Sequence, residues 1–376
     1  MKRFLISTGD HSADIHGENL VRALKQISPV HVTALGGSRL RGVSDYFLHD
    51  MVQMDVSGFT QPIKQFFTLR NILRQKISPL LSSKKIDAVI LIDYYGFNIH
   101  VAQAAWEQKI PVFYFVSPQV WASRKWRIQK LKKYVERMLV IFPFEEELYK
   151  SYGVPVSFVG NPLMDTVSEI DKKFPQRNMA TNKICLGLMP GSRRREILYH
   201  LPILLESFKR LLKQFPNMET VLFEADSVSV ETYQNYIASL LTEPEQAKLM
   251  RLRNASFEDR LDLTLSLTAS GTVTLENALL GIPMIVFYRT SYLTYSVAKR
   301  IIQVPFISMP NILSGQAIVP ELIQDDASVE KISSYASEYL THPERLQSMR
   351  ENLLRLKQKL GVSGAYHRAA EIILTE

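Results

Sequence analysis

The sequence predicts an α/β protein of two Rossmann-like domains facing each other across a cleft. Three observations carry that prediction. Strand and helix signals alternate along most of the chain, as they do in βαβ units. Several apolar runs are short and nearly continuous, as in parallel strands buried on both faces. A polar stretch from Glu169 to Lys183 separates two such series, so the domains are drawn as 1–170 and 171–376.

In the first series Phe4 to Ser7 is a strand, followed by a turn from Gly9 to Asp14 and a helix from about Ile15 to Ile27. His31 to Leu35 ends in Gly36-Gly37, and Ala88 to Ile92 ends at Asp93. Val112 to Val116, Met138 to Phe142 and Val156 to Val159 continue the alternation. In the second series Ile184 to Leu188 runs into Met189-Pro190-Gly191-Ser192-Arg193, and Thr220 to Phe223 is another strand. The chain is organised around the next stretch, Leu263 to Arg289. There a strand (Leu263 to Leu267), a small-residue turn (Ala269 to Thr272), a helix (Val273 to Leu280) and a strand (Met284 to Tyr288) make one βαβ unit. The last thirty residues read as helices broken at Gly361 to Gly364, and they can cross back to the N-terminal domain.

Composition sets the outer limits. The chain has 376 residues, 46% of them hydrophobic and 22% charged, as in a soluble protein with ample core. Cys185 stands alone, which excludes an internal disulfide and a cysteine-based metal cluster, and a cytoplasmic location follows as the expectation. The opening MKRFLISTGD reads as a first strand rather than a signal peptide. No run reaches the roughly 18 apolar residues of a membrane span. The net charge of +8 favours anionic partners.

Polar residues gather at predicted strand ends, where such folds place their sites. Asp93 is placed to act as a general base, or else to cap the following helix. Asp10 and Asp14, flanking the first turn, read as helix caps. Gly191, Ser192 and Arg193 suit a diphosphate, the guanidinium offering forked donors. Gly271 lets a ligand approach the backbone, Ser270 or Thr272 can cap the helix, and the first N–H groups of that helix favour an anion. Glu276, one turn on, either accepts from sugar hydroxyls or is a plain surface glutamate. The segment Pro62 to Ile77 carries Ile63, Phe66 and Phe67 among basic residues. It suits either an anionic bilayer and acyl chains or the core. The basic run Arg124 to Lys133 carries no nucleic-acid-binding module, so no nucleic acid partner is expected. GxxxxGK[ST], GxGxxG after the first strand, DxD and His pairs at i, i+4 are all missing from the sequence, so no metal site and no nucleotide cofactor are expected.

These residues also carry a resemblance. GDHSADIHG, IDYYGFN, YFVSPQVWASR, IFPFEEE, FVGNPL, MPGSRRREI, ASGTVTLENALLGIPMIVFYR and SMPNILSGQAIVPELIQ together resemble the lipid-A-disaccharide synthases over nearly the whole chain. The resemblance implies the GT-B fold and transfer of a 2,3-diacylglucosamine unit from UDP-2,3-diacylglucosamine to 2,3-diacylglucosamine 1-phosphate, inverting the anomeric centre to give a β-1,6 disaccharide. It implies that Arg193, Ser270, Gly271 and Thr272 hold the UDP phosphates and that Glu276 binds the ribose. Asn311, Glu321 and Gln324 would line the donor side, Asp93 would be the base, and Ser12, Asp14, Ser117, Gln119 and Arg124 would shape the acceptor side. No metal and no cofactor take part. It further implies work at the cytoplasmic face of the inner membrane, which favours the membrane reading of Pro62 to Ile77; a homodimer is kept as a candidate assembly.

This chain departs from the family pattern at Asp10, Ala13, Gly96, Ser123 and Asn161, which leaves Asp93 as the sole base candidate in its motif. The alternatives are another GT-B enzyme acting on a UDP-sugar, or a non-catalytic binder of UDP-sugar or lipid.

Overall fold

The structure is a computed structural model, and it describes residues 1–52, 62–175, 183–302 and 304–376. The chain divides into two units, Met1–Asp165 with Leu360–Glu376, and Thr166–Lys359. The last helix, Ala365–Thr375, thus belongs to the first unit.

The first unit holds a seven-stranded sheet of β1 (Lys2–Ser7), β2 (Val30–Gly36), β3 (Tyr46–Asp50), β4 (Ala88–Ile92), β5 (Val112–Phe115), β6 (Arg137–Val140) and β7 (Val156–Phe158), in the order β3-β2-β1-β4-β5-β6-β7. Every pairing is parallel. The side-chain period of two sends alternate residues to two separate cores. Phe4, Ile6, Ile90 and Phe115 pack with the helix His11–Ile27 and with Ala369, Ala370 and Ile373 of the last helix. Leu5, Val89, Leu91 and Tyr114 face the opposite core, with Ile77, Phe97 and Tyr149. That two-sided burial is why β4 reads as an unbroken apolar run.

In the second unit β8 (Cys185–Met189), β9 (Glu219–Glu224), β10 (Leu249–Arg253), β11 (Leu265–Ala269), β12 (Met284–Tyr288) and β13 (Glu321–Ile323) form a parallel sheet in the order β10-β9-β8-β11-β12-β13. The expected central unit is there, with its helix at Thr272–Leu279 between β11 and β12.

The helix Pro62–Ile72 continues through a single π turn, Leu73–Ile77, a rare form that occurs mostly as such one-turn insertions in α-helices. Ile72 and Ile77 lie in the core and Leu69 and Leu73 pack against it, so the second half of the segment is core-facing. Phe67 is 55% exposed. The side chains of Ile63 and Phe66 lie outside the described residues. No helix among the described residues is long and apolar enough to cross a membrane.

Candidate functional site

Asp93 follows the fully buried β4, and the backbone there is bent. Asp93 and Tyr94 have φ of 45° and 47°, and Val116, after the neighbouring β5, has 56°. None of these is glycine, so each left-handed residue costs about 1–3 kcal/mol and needs outside support. Asn98 supplies much of it. Its amide donates to the carbonyls of Asp93 (2.9 Å) and Ile92 (3.2 Å), while its oxygen accepts the Ser7 hydroxyl at 2.7 Å. The Tyr114 hydroxyl also donates to the Asp93 carbonyl. The following helix, Tyr95–Glu107, takes Tyr94 as its N-cap without a side-chain bond, so Asp93 does not cap it. Burial first, and then the charge of Asp10, push the Asp93 carboxyl up to about 6. A carboxylate in that range is still ionised at neutral pH and is basic enough to accept a proton from a hydroxyl.

The first turn leans on this bend. A Cβ at Gly9 would fall 1.9 Å from the Tyr94 ring, so the absence of a side chain there lets the ring lie against the turn. Asp10 caps the first helix as expected, accepting the Ala13 N–H at 2.8 Å. Ser12 is exposed one residue into that helix, and Ala13 is buried in the core. Asp14, which the resemblance assigns to the acceptor side, is engaged within the fold. It is buried, and its two oxygens accept the backbone N–H groups of Gly37 (2.7 Å) and Arg39 (3.0 Å). It pins the Gly36-Gly37 turn because the N–H groups at that helix start need acceptors.

After β5, Ser117 is buried and shares a 2.7 Å hydrogen bond with the Tyr149 hydroxyl, while Gln119 and Arg124 are exposed. Glu145, which the sequence reading did not single out, is buried, and its carboxylate accepts the Phe142 N–H at 3.2 Å, at the start of the helix Pro143–Ser151. Burial pushes its carboxyl up to about 8, opposed by the Phe142 and Ile141 N–H groups, Ser117 and Trp121. The sequence signal was Pro143 with Glu145 two residues on, the pattern of a capped helix start. Asn161 is also structural, accepting the Leu163 N–H at 3.0 Å. Gly96 has nothing within 4 Å of where a Cβ would lie, so no close contact demands glycine there.

In the second unit two turns sit at the same end of neighbouring strands, since β8 and β11 pair in parallel. The first is Gly191-Ser192-Arg193. Gly191 has φ 108°, and Arg193 caps the helix Arg194–Gln214 through its backbone. The Arg193 side chain is 82% exposed and bonds Glu196 at 3.0 Å. The turn is fixed by His200, which sequence reasoning missed. Its Nδ1 lies 2.8 Å from the Pro190 carbonyl, and its Nε2 accepts the Arg289 N–H at 3.0 Å. Burial lowers the His200 pKa, which suits a neutral ring donating through Nδ1 and tying the ends of β8 and β12 together.

The second turn is Ser270-Gly271-Thr272. Neither hydroxyl caps the helix, contrary to expectation. The N-cap is Gly271 without a side-chain bond, and Ser270 donates to the Ile307 carbonyl at 2.8 Å because that neighbouring loop offers a closer acceptor. Gly271 and Thr272 are exposed, so the helix start remains open to an anion. Glu276 is not a plain surface residue. The buried Arg260 donates to it at 2.8 Å and to Asn277 at 3.2 Å.

The late motif holds the loops. Buried Asn311 donates to Val319 O and Glu321, and accepts from the N–H groups of Ile318 and Val319. Glu321 in turn accepts from Ile307, Ser308 and Asn311. Gln324 pairs with both backbone groups of Thr290, at 2.8 and 3.1 Å. These side chains were expected to line the donor side. In this structure the two amides satisfy backbone groups, as buried amides must. A groove of about 830 Å³ in the first unit, lined by Trp106, Pro111 and Arg137, lies beside the start of β5, at the opposite end of that sheet from Asp93.

A family model described as lipid-A-disaccharide synthetase matches residues 4–374. The lipid-A-disaccharide synthase of Geobacter metallireducens is 37% identical, covering 99% of this chain and 97% of that protein. Lipid-A-disaccharide synthase 1 of Legionella pneumophila (strain Lens) is 32% identical, covering 100% and 97%. Among solved structures, the UDP-GlcNAc 2-epimerase of Neisseria meningitidis bound to UDP-GlcNAc covers both chains fully, with a TM-score of 0.63 and 16% identity. MurG of Acinetobacter baumannii does so with a TM-score of 0.61 and 14% identity. The fold is GT-B, two parallel-sheet α/β domains. Matches that run along whole chains at this identity make the protein a member of the lipid-A-disaccharide synthetase family, an enzyme of lipid A disaccharide synthesis.

Proposed function

We propose that this enzyme joins UDP-2,3-diacylglucosamine to 2,3-diacylglucosamine 1-phosphate, giving the β-1,6-linked disaccharide 1-phosphate and UDP. The observation that carries the reading is Asp93, a mostly buried carboxylate raised to about 6 that does not cap its helix. It takes the proton of the acceptor's 6-hydroxyl as that oxygen attacks the anomeric carbon of the donor. The carbon–oxygen bond to the diphosphate breaks on the opposite side, so one displacement inverts the centre. UDP leaves with the electron pair. Its charge is met by Arg193 and by the open helix start at Thr272, and Glu276, held by Arg260, accepts from the ribose hydroxyls. The likeness to a fold bound to UDP-GlcNAc supports the donor class.

An anionic membrane surface is the proposed setting. Exposed Phe67 with Arg70 and Arg74 suits it, as does the helix Tyr292–Ile301, where Leu293 is 80% exposed and Lys299 and Arg300 occupy the last turn.

The test is mass spectrometry of product from these two substrates in detergent without added metal. An acylated disaccharide phosphate with released UDP is expected; bound UDP without product would overturn the reading. Arg193→Ala is expected to weaken UDP binding by about 1.5–3 kcal/mol, the range for hydrogen bonds to charged groups. An unchanged affinity in calorimetric titration would remove Arg193 from the phosphate site.

A further inference from the structure

Beside Asp93 lies a cation that the reaction above does not use. Arg127 sits with its guanidinium 4.4 Å from the centroid of the Tyr95 ring. Its Nε is buried without a hydrogen-bond partner, and so is the hydroxyl of Tyr95, a residue only 9% exposed. Two donors enclosed side by side and left unpaired are costly, because each has given up water for nothing. The charged and titratable groups acting on Arg127 are Arg124, Tyr95 and Tyr114, with no carboxylate among them. Arg124 itself is exposed on a left-handed backbone. Two guanidiniums close enough to repel each other, one of them over the Tyr95 ring, offer donors and no acceptor of their own. A neutral sugar hydroxyl needs no such charge, whereas a phosphate monoester, rich in acceptor oxygens, fits it.

We propose that Arg127, seated on Tyr95 and flanked by Arg124, binds the phosphate of the acceptor sugar. The placement suits that ligand. Tyr95 is two residues past Asp93, and Tyr114, which also feels Arg127, donates to the Asp93 carbonyl. The cluster therefore belongs to the same strand end as the base. In the acceptor the 6-hydroxyl and the 1-phosphate are carried from the two carbons that flank the ring oxygen, C5 and C1. A base and a phosphate site at one strand end can hold both at once. Arg127 thus selects a phosphorylated acceptor and sets which hydroxyl reaches Asp93.

This assignment rests on the proposed reaction, and the experiment separates the two. Arg127→Gln, Arg127→Lys and Tyr95→Phe are assayed by product mass spectrometry with 2,3-diacylglucosamine 1-phosphate and with its phosphate-free methyl glycoside. Arg127→Gln is expected to raise KM for the phosphorylated acceptor about ten- to a hundredfold. The donor KM and the rate on the phosphate-free acceptor should stay as in the wild type. Arg127→Lys should recover part of the loss, and Tyr95→Phe should show the same selectivity more weakly. These two variants retain the charge or the ring and carry the test if Arg127→Gln fails to fold. Equal losses on both acceptors, or a raised donor KM, would overturn the assignment. Inorganic phosphate should compete with the phosphorylated acceptor in the wild type and less so in Arg127→Gln. Loss of that competition without any difference between the acceptors would mark a site for free phosphate and also overturn it. If the wild type makes no disaccharide from either acceptor, it is the reaction that fails.

Discussion

Asp93→Asn is expected to lower turnover by about 10²- to 10⁴-fold, the usual contribution of a general base, while UDP binding persists. The same change should make the protein more stable at neutral pH. The carboxyl is held near 6 against an ordinary 3.8, so the folded state resists its ionisation. Below pH 3.8 the group is neutral in folded and unfolded chains alike, and the fold carries no penalty. As pH rises to about 6 the unfolded chain ionises first and stability is lost; above that the loss is constant. At pH 7 the penalty is about 3 kcal/mol, which asparagine would remove. Thermal melts of both proteins at pH 4 and pH 8 check this, because only the higher pH should separate them. Wild-type activity should also fall as pH drops through about 6, as the base takes up its proton. An active variant, or a melt difference indifferent to pH, would remove Asp93 from the role.

Arg260→Ala is the second large effect. It leaves Glu276 without its cation and Asn277 without a donor, in a part of the second unit with little access to water. Breaking a buried ion pair on one side costs about 3–5 kcal/mol, and partial exposure of Glu276 places this case at about 3. Urea unfolding measures it. The double variant Arg260→Met/Glu276→Leu removes both charges and should recover most of that stability while still binding UDP poorly. If the double variant binds UDP as the wild type does, Glu276 has no part in holding the nucleotide.

The GT-B architecture was legible because its central strands are buried on both faces and stand out as apolar runs. Three edge strands were not: β3, β10 and β13 lie at sheet margins, where a half-solvated strand such as LMRLR carries charge between its apolar residues. Within the candidate site, the residues following strand ends could be read directly: Asp93, Gly191 and the Ser270 turn. His200, Arg260 and Glu145 could not, because each acts on groups brought to it by the fold or by burial that no local pattern reports. Asn311, Gln324 and Asp14 carry a structural role that motif reading does not report. A polar side chain in a distinctive motif resembles a ligand contact, yet a buried loop has backbone groups of its own to satisfy, and these residues do that.

The return of residues 360–376 to the first unit has a consequence for how the protein is made. The face of β1 and of the helix His11–Ile27 that Ala369, Ala370 and Ile373 cover is translated at the outset, and its cover only after the whole second unit. At the ribosome's pace of about 5–20 residues per second, that interval is about twenty to seventy seconds. Throughout it the nascent first unit presents an open apolar strip to its surroundings, while the second unit, contiguous in sequence, can close as soon as it emerges. Order of synthesis and order of completion are thus reversed: the half that begins the chain is the half that finishes last.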